Sequence, residues 1–387
     1  MMISGPEFLP GVELSRLLYE EGVRPLLREV FPGLPYAAAL IGAGSEVLGF
    51  DTARSTDHDW GPRLELFVRA WDRERYGAEI HRVLAERLPK QVRGWPTHFR
   101  GGDAPLEPVA PVAPVAPVGH ATPTDGPVAH RVRTHDLDGW LTERLGPWPG
   151  GKREPGVREP GVRDWLAMPQ QSLAETTGGA VFHDGPGDLT AVRRRLAWYP
   201  EQVWRYLLAC QWQRIAQREA FTGRCAEVGD DLGSAVVAAA LVRDLMRLCL
   251  LLERRYAPYD KWLGSAFGQL PVAAELGPVL RSVLAAADHP AREAGLCAAY
   301  GTVAALQNAS GLTAPVDPAP RPYHSRPFLV LRADRFARAL AATVTDPELR
   351  GLPLVGAVDQ WADSTDLLNH PHVVRTAADA VVGLGRA

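Results

Sequence analysis

Ile41-Gly-Ala-Gly-Ser45, then eleven residues, then Asp57-His-Asp59: the reading of this stretch decides how the rest of the chain is understood. It is entered by Tyr36-Ala-Ala-Ala-Leu-Ile41, a short apolar run that stops at glycines, as a buried strand does when it delivers the chain into a tight turn. Gly44 lets backbone come close to a phosphate, and the Ser45 hydroxyl with neighbouring amides can donate to it. A helix starting at Ser45 would add its dipole. Asp57 and Asp59 are two residues apart, so in an extended segment they point to one side. Two carboxylates so placed repel unless a cation lies between them. Hard oxygen ligands suit Mg2+, whose remaining positions water and a triphosphate can fill.

A D-x-D taken alone is ordinarily a solvated turn or a cap, and it is the preceding glycine turn that changes the reading. Other glycine-loop chemistries do not fit. No Gly-Lys-Ser/Thr follows for a P-loop, the third glycine of G-x-G-x-x-G is absent after Gly42 and Gly44, and there is no G-x-S-x-G elbow here.

Outward from this centre, residues 12–31 have the helical spacing of Leu14, Leu17, Leu18, Val23, Leu26, Leu27 and Val30, ended by Pro32-Gly33. Leu64-Glu-Leu-Phe-Val68 alternates as a strand with inward and outward positions, and residues 74–88 return to helical spacing. Pro108-Val-Ala-Pro-Val-Ala-Pro-Val-Ala-Pro-Val118 favours extended polyproline geometry and marks a surface insertion near 104–127. Arg153-Glu-Pro-Gly-Val-Arg-Glu-Pro-Gly-Val-Arg163 is a tandem duplication too short for a solenoid, expected to be a loop. From Pro200, which suits a first helical position, the pattern is helical. The longest candidate, Asp231 to Arg255, has an apolar stripe of Val237, Leu241, Leu245, Leu248 and Leu252, with Arg243, Arg247 and Arg254 on another face. The expected architecture is an α/β domain over residues 1–170, followed by an α-helical bundle domain over 171–387.

A chain of 387 residues with 46% hydrophobic content can bury full cores. Charge is nearly balanced, 42 Lys+Arg against 45 Asp+Glu, so no overall positive field recruits a phosphate backbone, which argues against a long nucleic acid as partner. Cys210, Cys225, Cys249 and Cys297 are scattered singly without a disulfide framework, as expected in a reducing cytoplasm. The first residues lack a basic start and apolar run, and no stretch of about 18 apolar residues follows, so no membrane association is expected.

Ile41-Gly-Ala-Gly-Ser45 with Ser55-Thr-Asp-His-Asp-Trp60 resembles the G-S…D-x-D signature of the DNA polymerase beta-like nucleotidyltransferase superfamily. Gly179-Ala-Val-Phe-His-Asp184, Leu196-Ala-Trp-Tyr-Pro200, Val203-Trp-Arg-Tyr206 and Tyr256-Ala-Pro-Tyr-Asp-Lys-Trp262 resemble the DUF4037 branch of bacterial nucleotidyltransferase-like proteins; together the matches span most of residues 36 to 366. The resemblance implies an α/β (α+β) fold with a small mixed sheet and flanking helices, followed by a helical domain closing a nucleotide cleft. It implies Asp57 and Asp59 as ligands of Mg2+, with two ions possible, and Gly44 and Ser45 as contacts of the NTP phosphates. It further implies a third carboxylate from a later strand, in the metal site or as proton acceptor. Asp136 and Asp138 of His130-Arg-Val-Arg-Thr-His-Asp-Leu-Asp138 and Glu65 are the candidates, and Asp136 is preferred as the third catalytic residue.

Lys261 is placed like the triphosphate-binding lysine of the antibiotic adenylyltransferases, against the alternative of an ordinary surface lysine. Arg243 and Arg247 extend that basic wall as nucleotide-binding candidates, although Asp244 and Glu253 nearby fit a solvated, salt-paired face better. Glu219 to Arg224, with Glu227 and Asp230-Asp231, could line an anionic acceptor pocket or form an interhelical turn with an N-cap. His370-Pro-His372 lacks zinc-ligand spacing and is expected to be a loop. The expected activity is transfer of a nucleoside monophosphate, AMP from ATP foremost, to a small-molecule or protein hydroxyl with release of pyrophosphate. The rivals are a catalytically degenerate nucleotide-binding sensor or interaction module and a phosphotransferase, which would release ADP.

Overall fold

The computed structural model describes residues 6–57, 60–100, 120–148 and 159–383, Asp57 in its backbone alone. The proline repeat 108–118 and residues 153–158 of the tandem duplication lie outside the described residues. The chain divides into two compact units, Met1–Arg144 with Ser172–Ala197, and Leu145–Gln171 with Trp198–Ala387. This differs from a single boundary at 170, and the reason is strand pairing: a strand at Ala180–Asp184 completes the first unit's sheet.

The first unit is built on strands β1 (Ala37–Leu40), β2 (Arg63–Phe67), short ribbons β3 (Gln91–Val92) with β4 (Trp95–Pro96) and β5 (His98–Arg100) with β6 (His120–Thr122), then β7 (Arg131–His135) and β8 (Ala180–Asp184). Four of them form a sheet of order β7-β2-β1-β8, in which β1 is antiparallel to β2 and β8 while β2 and β7 are parallel. The sheet is therefore small and mixed, as expected.

The amphipathic segment 12–31 is helical as far as Val30, as α1 (Gly11–Leu17), a π-helical turn Leu18–Val23 and α2 (Arg24–Val30). The widened turn has a covalent cause at its end, because Pro25 has no N–H to donate four residues back to Glu21. Helix α3 (Ala70–Arg87) begins four residues earlier than the spacing at 74–88 suggests. Leu14, Leu18, Leu64, Leu66, Ile80 and Val132 meet in one buried core on one face of the sheet. In β2 these leucines alternate with Arg63 and Glu65, but all five residues are buried, so the alternation is of chemistry and not of exposure. The sheet's other face carries charges beneath cover. Helices α4 (Leu137–Leu145), α6 (Gln170–Thr177, in this unit from Ser172) and α7 (Asp188–Arg195) follow, while α5 (Val162–Ala167) belongs to the second unit.

The second unit is mainly helical: α8 (Glu201–Arg218), α9 (Phe221–Glu227), α10 (Asp231–Leu252), α11 (Asp260–Gly268), α12 (Ala273–Ala285), α13 (His289–Ala309) and α14 (Asp334–Ala341), with shorter helices after them. Pro200 takes the position just before α8, one residue earlier than a first helical place. In α10 Leu241, Leu245 and Leu248 are buried as the stripe requires. The same helix buries Asp244 completely: Arg218 donates to it at 2.9 Å, Arg214 at 3.4 Å, and Gln211 donates to its carbonyl at 3.0 Å. A solvated, salt-paired face is thus corrected for Asp244, since an unpaired buried carboxylate would be prohibitively costly and two arginines of α8 supply the pairing. Arg254 does not continue the arginine face. It lies past the end of α10 with φ +53°, stacked 4.2 Å over Trp204.

Candidate phosphate-binding turn

β1 and β2 are antiparallel, so the exit of β1 and the entry of β2 lie at the same end of the sheet. Gly42-Ala-Gly-Ser45 leaves from the first, and the segment holding Asp57 and Asp59 runs into the second. This juxtaposition follows from strand direction alone. Asp57 closes a 3-10 turn, Ala53–Asp57, in place of the extended approach expected for it. The Asp57 side chain and all of Asp59 lie outside the described residues.

The turn itself is held by a buried ion pair. Arg63 Nε donates to Glu46 at 2.7 Å, and Arg63 Nη2 also donates to the carbonyl of Ala43. Gly44 has φ +143°, a conformation open to glycine, and a side chain there would drive into the Glu46 carboxylate at 2.6 Å. Gly42 serves a second cation: a β-carbon on it would stand 2.7 Å from Arg144 Nη2. Arg144 leans on the Trp140 ring at 4.6 Å and reaches the Glu175 carboxylate at only 3.4 Å. The Gly42 N–H donates to the Glu175 carbonyl at 2.9 Å, and Gly179 N–H to Val47 at 2.8 Å, tying the turn to the segment that follows α6. Among the described residues, the N–H groups of Ala43, Gly44 and Ser45 donate to no acceptor. No helix starts at Ser45. Residues 45–49 form a turn closed by Phe50 N–H on Ser45 at 2.8 Å, and Gly49 at φ +74° ends it.

Across the polar face, Glu65 lies in one row with Ala39 and Arg133, and His135 in the next row with Phe67. His135 Nε2 is 2.7 Å from Glu65 and Arg133 is 3.6 Å away. Burial opposes ionisation of Glu65, but the His135 hydrogen bond and the charges of His135, Arg133 and Arg63 outweigh it, holding the carboxyl below its usual value. Glu65 is therefore bound up with its own partners.

Asp136, the preferred third carboxylate, is not brought to the turn. Because β7 runs parallel to β2, Asp136 follows the far end of the strand, roughly 16 Å along it from the row of Arg63 and Arg131 at about 3.3 Å per residue. There it accepts from Gly139 N–H at 2.7 Å as the cap of α4 and from Arg73 at 3.0 Å. These contacts give Asp136 a structural role, as helix cap and ion-pair partner, at a distance from the turn. Asp138 lies in the first turn of the same helix, raised above its usual range by burial and then by Asp136 and Asp188. At the entry end of β7, beside β2, stand Arg131 and Arg133.

In the second unit Lys261 is the second residue of α11, exposed, its ammonium 5.0 Å over the Trp262 ring. Arg243 pairs with Asp363 at 3.5 Å and Asp260 at 3.7 Å, and Arg247 donates to the Asp359 carbonyl at 2.7 Å. Both arginines therefore have carboxylate or carbonyl partners other than the Asp244 and Glu253 expected. The proposed acceptor pocket is dispersed. Glu219 accepts three backbone N–H groups, from Leu331, Arg332 and Ala333, at 2.8, 3.1 and 2.9 Å, while Asp230 caps α10 and Asp231 takes Arg292. His372 lies inside a helix, Pro371–Gly383, and not in a loop.

Among the described residues no cluster of three His, Cys, Asp or Glu side chains is arranged to hold a metal ion, and no helix is long and apolar enough to cross a membrane. Sequence reading missed Arg63, Glu46, Arg144 and Glu175. Arg63 carried a signal, as a charge in register with Glu65 on a strand. Arg144 carried none, since only the tertiary placement of α4 brings it to Gly42.

Residues 165–263 match DUF4037, a domain of unknown function. The DUF4037 segment runs from α5 to α11, contains β8, and includes the four motifs from Gly179 to Trp262 that resemble this branch. The glycine turn and Asp57-His-Asp59 lie outside it. No curated protein and no solved structure matches the chain.

Proposed function

We propose that the chain is a Mg2+-dependent nucleotidyltransferase that moves a nucleoside monophosphate, AMP foremost, from an NTP to a hydroxyl of a small molecule or protein. The observation that supports this most is the antiparallel β1-β2 pair, which sets the turn leaving β1 and the chain entering β2 at one end of the sheet, with Asp57-His-Asp59 preceding β2 in sequence. The donor chemistry of two hard carboxylates suits Mg2+, so Asp57 and Asp59 would hold the ion, which when bound neutralises charge on the triphosphate. The amides of Ala43, Gly44 and Ser45 would bind and orient the phosphates, and the acceptor oxygen would displace pyrophosphate at the α-phosphorus.

A second reading has its own observation. Arg131 and Arg133, and no carboxylate, occupy β7 beside β2, which favours a nucleotide sensor or interaction module that binds without turnover. Asp59→Asn tests the first reading: pyrophosphate release from NTP and Mg2+ should be lost with the melting temperature unchanged. Unaltered release by this variant removes the metal assignment. Nucleotide binding without release in the unmodified protein selects the second reading.

A further inference from the structure

Two guanidiniums flank the glycine turn, and their commitments differ. Arg63 is buried, bonded to Glu46 at 2.7 Å and to the Ala43 carbonyl, and so is spent on holding the turn. Arg144 keeps about a fifth of its side chain exposed, and its carboxylate contact among the described residues, to Glu175, is stretched to 3.4 Å. Its remaining support is the face of Trp140, which orients a guanidinium without consuming its N–H donors. The missing side chain of Gly42 is what lets Nη2 come so close to the turn, beside three successive backbone N–H groups that have no acceptor among the described residues. An oriented guanidinium held at a turn whose successive amides lack acceptors suits a multiply charged oxyanion.

We propose that Arg144 and the Ala43–Ser45 amides form a polyphosphate-binding site, in which Arg144 takes the outer phosphates. The site rests on the nucleotidyltransferase reading for its natural ligand, a nucleoside triphosphate, but not for its chemistry, which inorganic tripolyphosphate shares. Glu175 competes with the ligand for the guanidinium, so the pair is a poise and not a lock.

The test is calorimetric titration of the full chain with ATP, tripolyphosphate and AMP, in the unmodified protein and in Arg144→Gln, Arg144→Lys and Glu175→Gln. Losing a charge-assisted contact should weaken ATP and tripolyphosphate by about tenfold or more in Arg144→Gln, less in Arg144→Lys, and leave AMP within about twofold. Glu175→Gln, which keeps Arg144 and removes its competitor, should tighten tripolyphosphate. Equal affinities in the unmodified protein and Arg144→Gln overturn the site, even where ATP binds and nucleotidyl transfer stands. Tripolyphosphate binding that depends on Arg144 without any preference for ATP leaves the site in place and removes the nucleotide reading. Failure of the unmodified protein to bind either polyphosphate overturns both.

Discussion

At Glu219 the chain holds a carboxylate where water cannot solvate it. Burial pushes this group up to about 7, and the three N–H donors from residues 331–333 only partly offset that cost. The sign of the consequence follows from proton counting. The folded state keeps a proton that the unfolded state releases above its ordinary 4.5, so this group's stabilisation is full below 4.5 and is lost as pH rises through about 7. A carbon-detected titration with labelled glutamate should show one carboxyl with a midpoint near 7, absent in Glu219→Gln. A midpoint in the ordinary carboxylate range would contradict this environment. Sequence reading offered Glu219 either to an anionic pocket, because neighbours in sequence are acidic, or to an interhelical turn. The donors that occupy it come from residues more than a hundred positions away, which no local pattern reveals.

Element by element, legibility tracked how much each signal was local. The helix at 12–31 and the strands at 36–41 and 64–68 were readable because apolar spacing is set by the backbone's own period. The end of β7 was not: Asp136 reads as a third carboxylate on a strand, whereas parallel pairing with β2 places it at the far end, capping α4. Asp136→Ala should cost about 1 kcal/mol of stability through the lost cap and leave nucleotidyl transfer within a few-fold. Thermal melting and a transfer assay read the two effects, and loss of transfer with unchanged melting would restore Asp136 to the chemistry. The glycine turn shows the same limit from the other side. Gly44 was legible as a turn glycine, but the cations packed against the turn, Arg63 and Arg144, come from β2 and α4.

For the whole molecule, the units are not successive in sequence, because β8 returns to pair with β1 after residues 145–171 have joined the second unit. Hydrophobic periodicity has no means of announcing such an exchange. The proline-rich insertion is a different matter. Arg100 and His120 are register partners of β5 and β6, so the segment 101–119 begins and ends at adjacent points. Replacing it with a short glycine-containing turn should leave the melting temperature within a few degrees, as loop closure depends only weakly on length. Cooperative loss of folding would show the segment to be part of a core. The central claim, nucleotidyl transfer at the Gly44-Ser45 turn, is tested most directly by following an NTP labelled at both the α- and γ-phosphates with Mg2+ and a panel of hydroxyl acceptors. Nucleotidyl transfer puts the α-label on an acceptor and the γ-label in pyrophosphate. A γ-label on the acceptor with ADP as the other product, or no redistribution of either label, would contradict it.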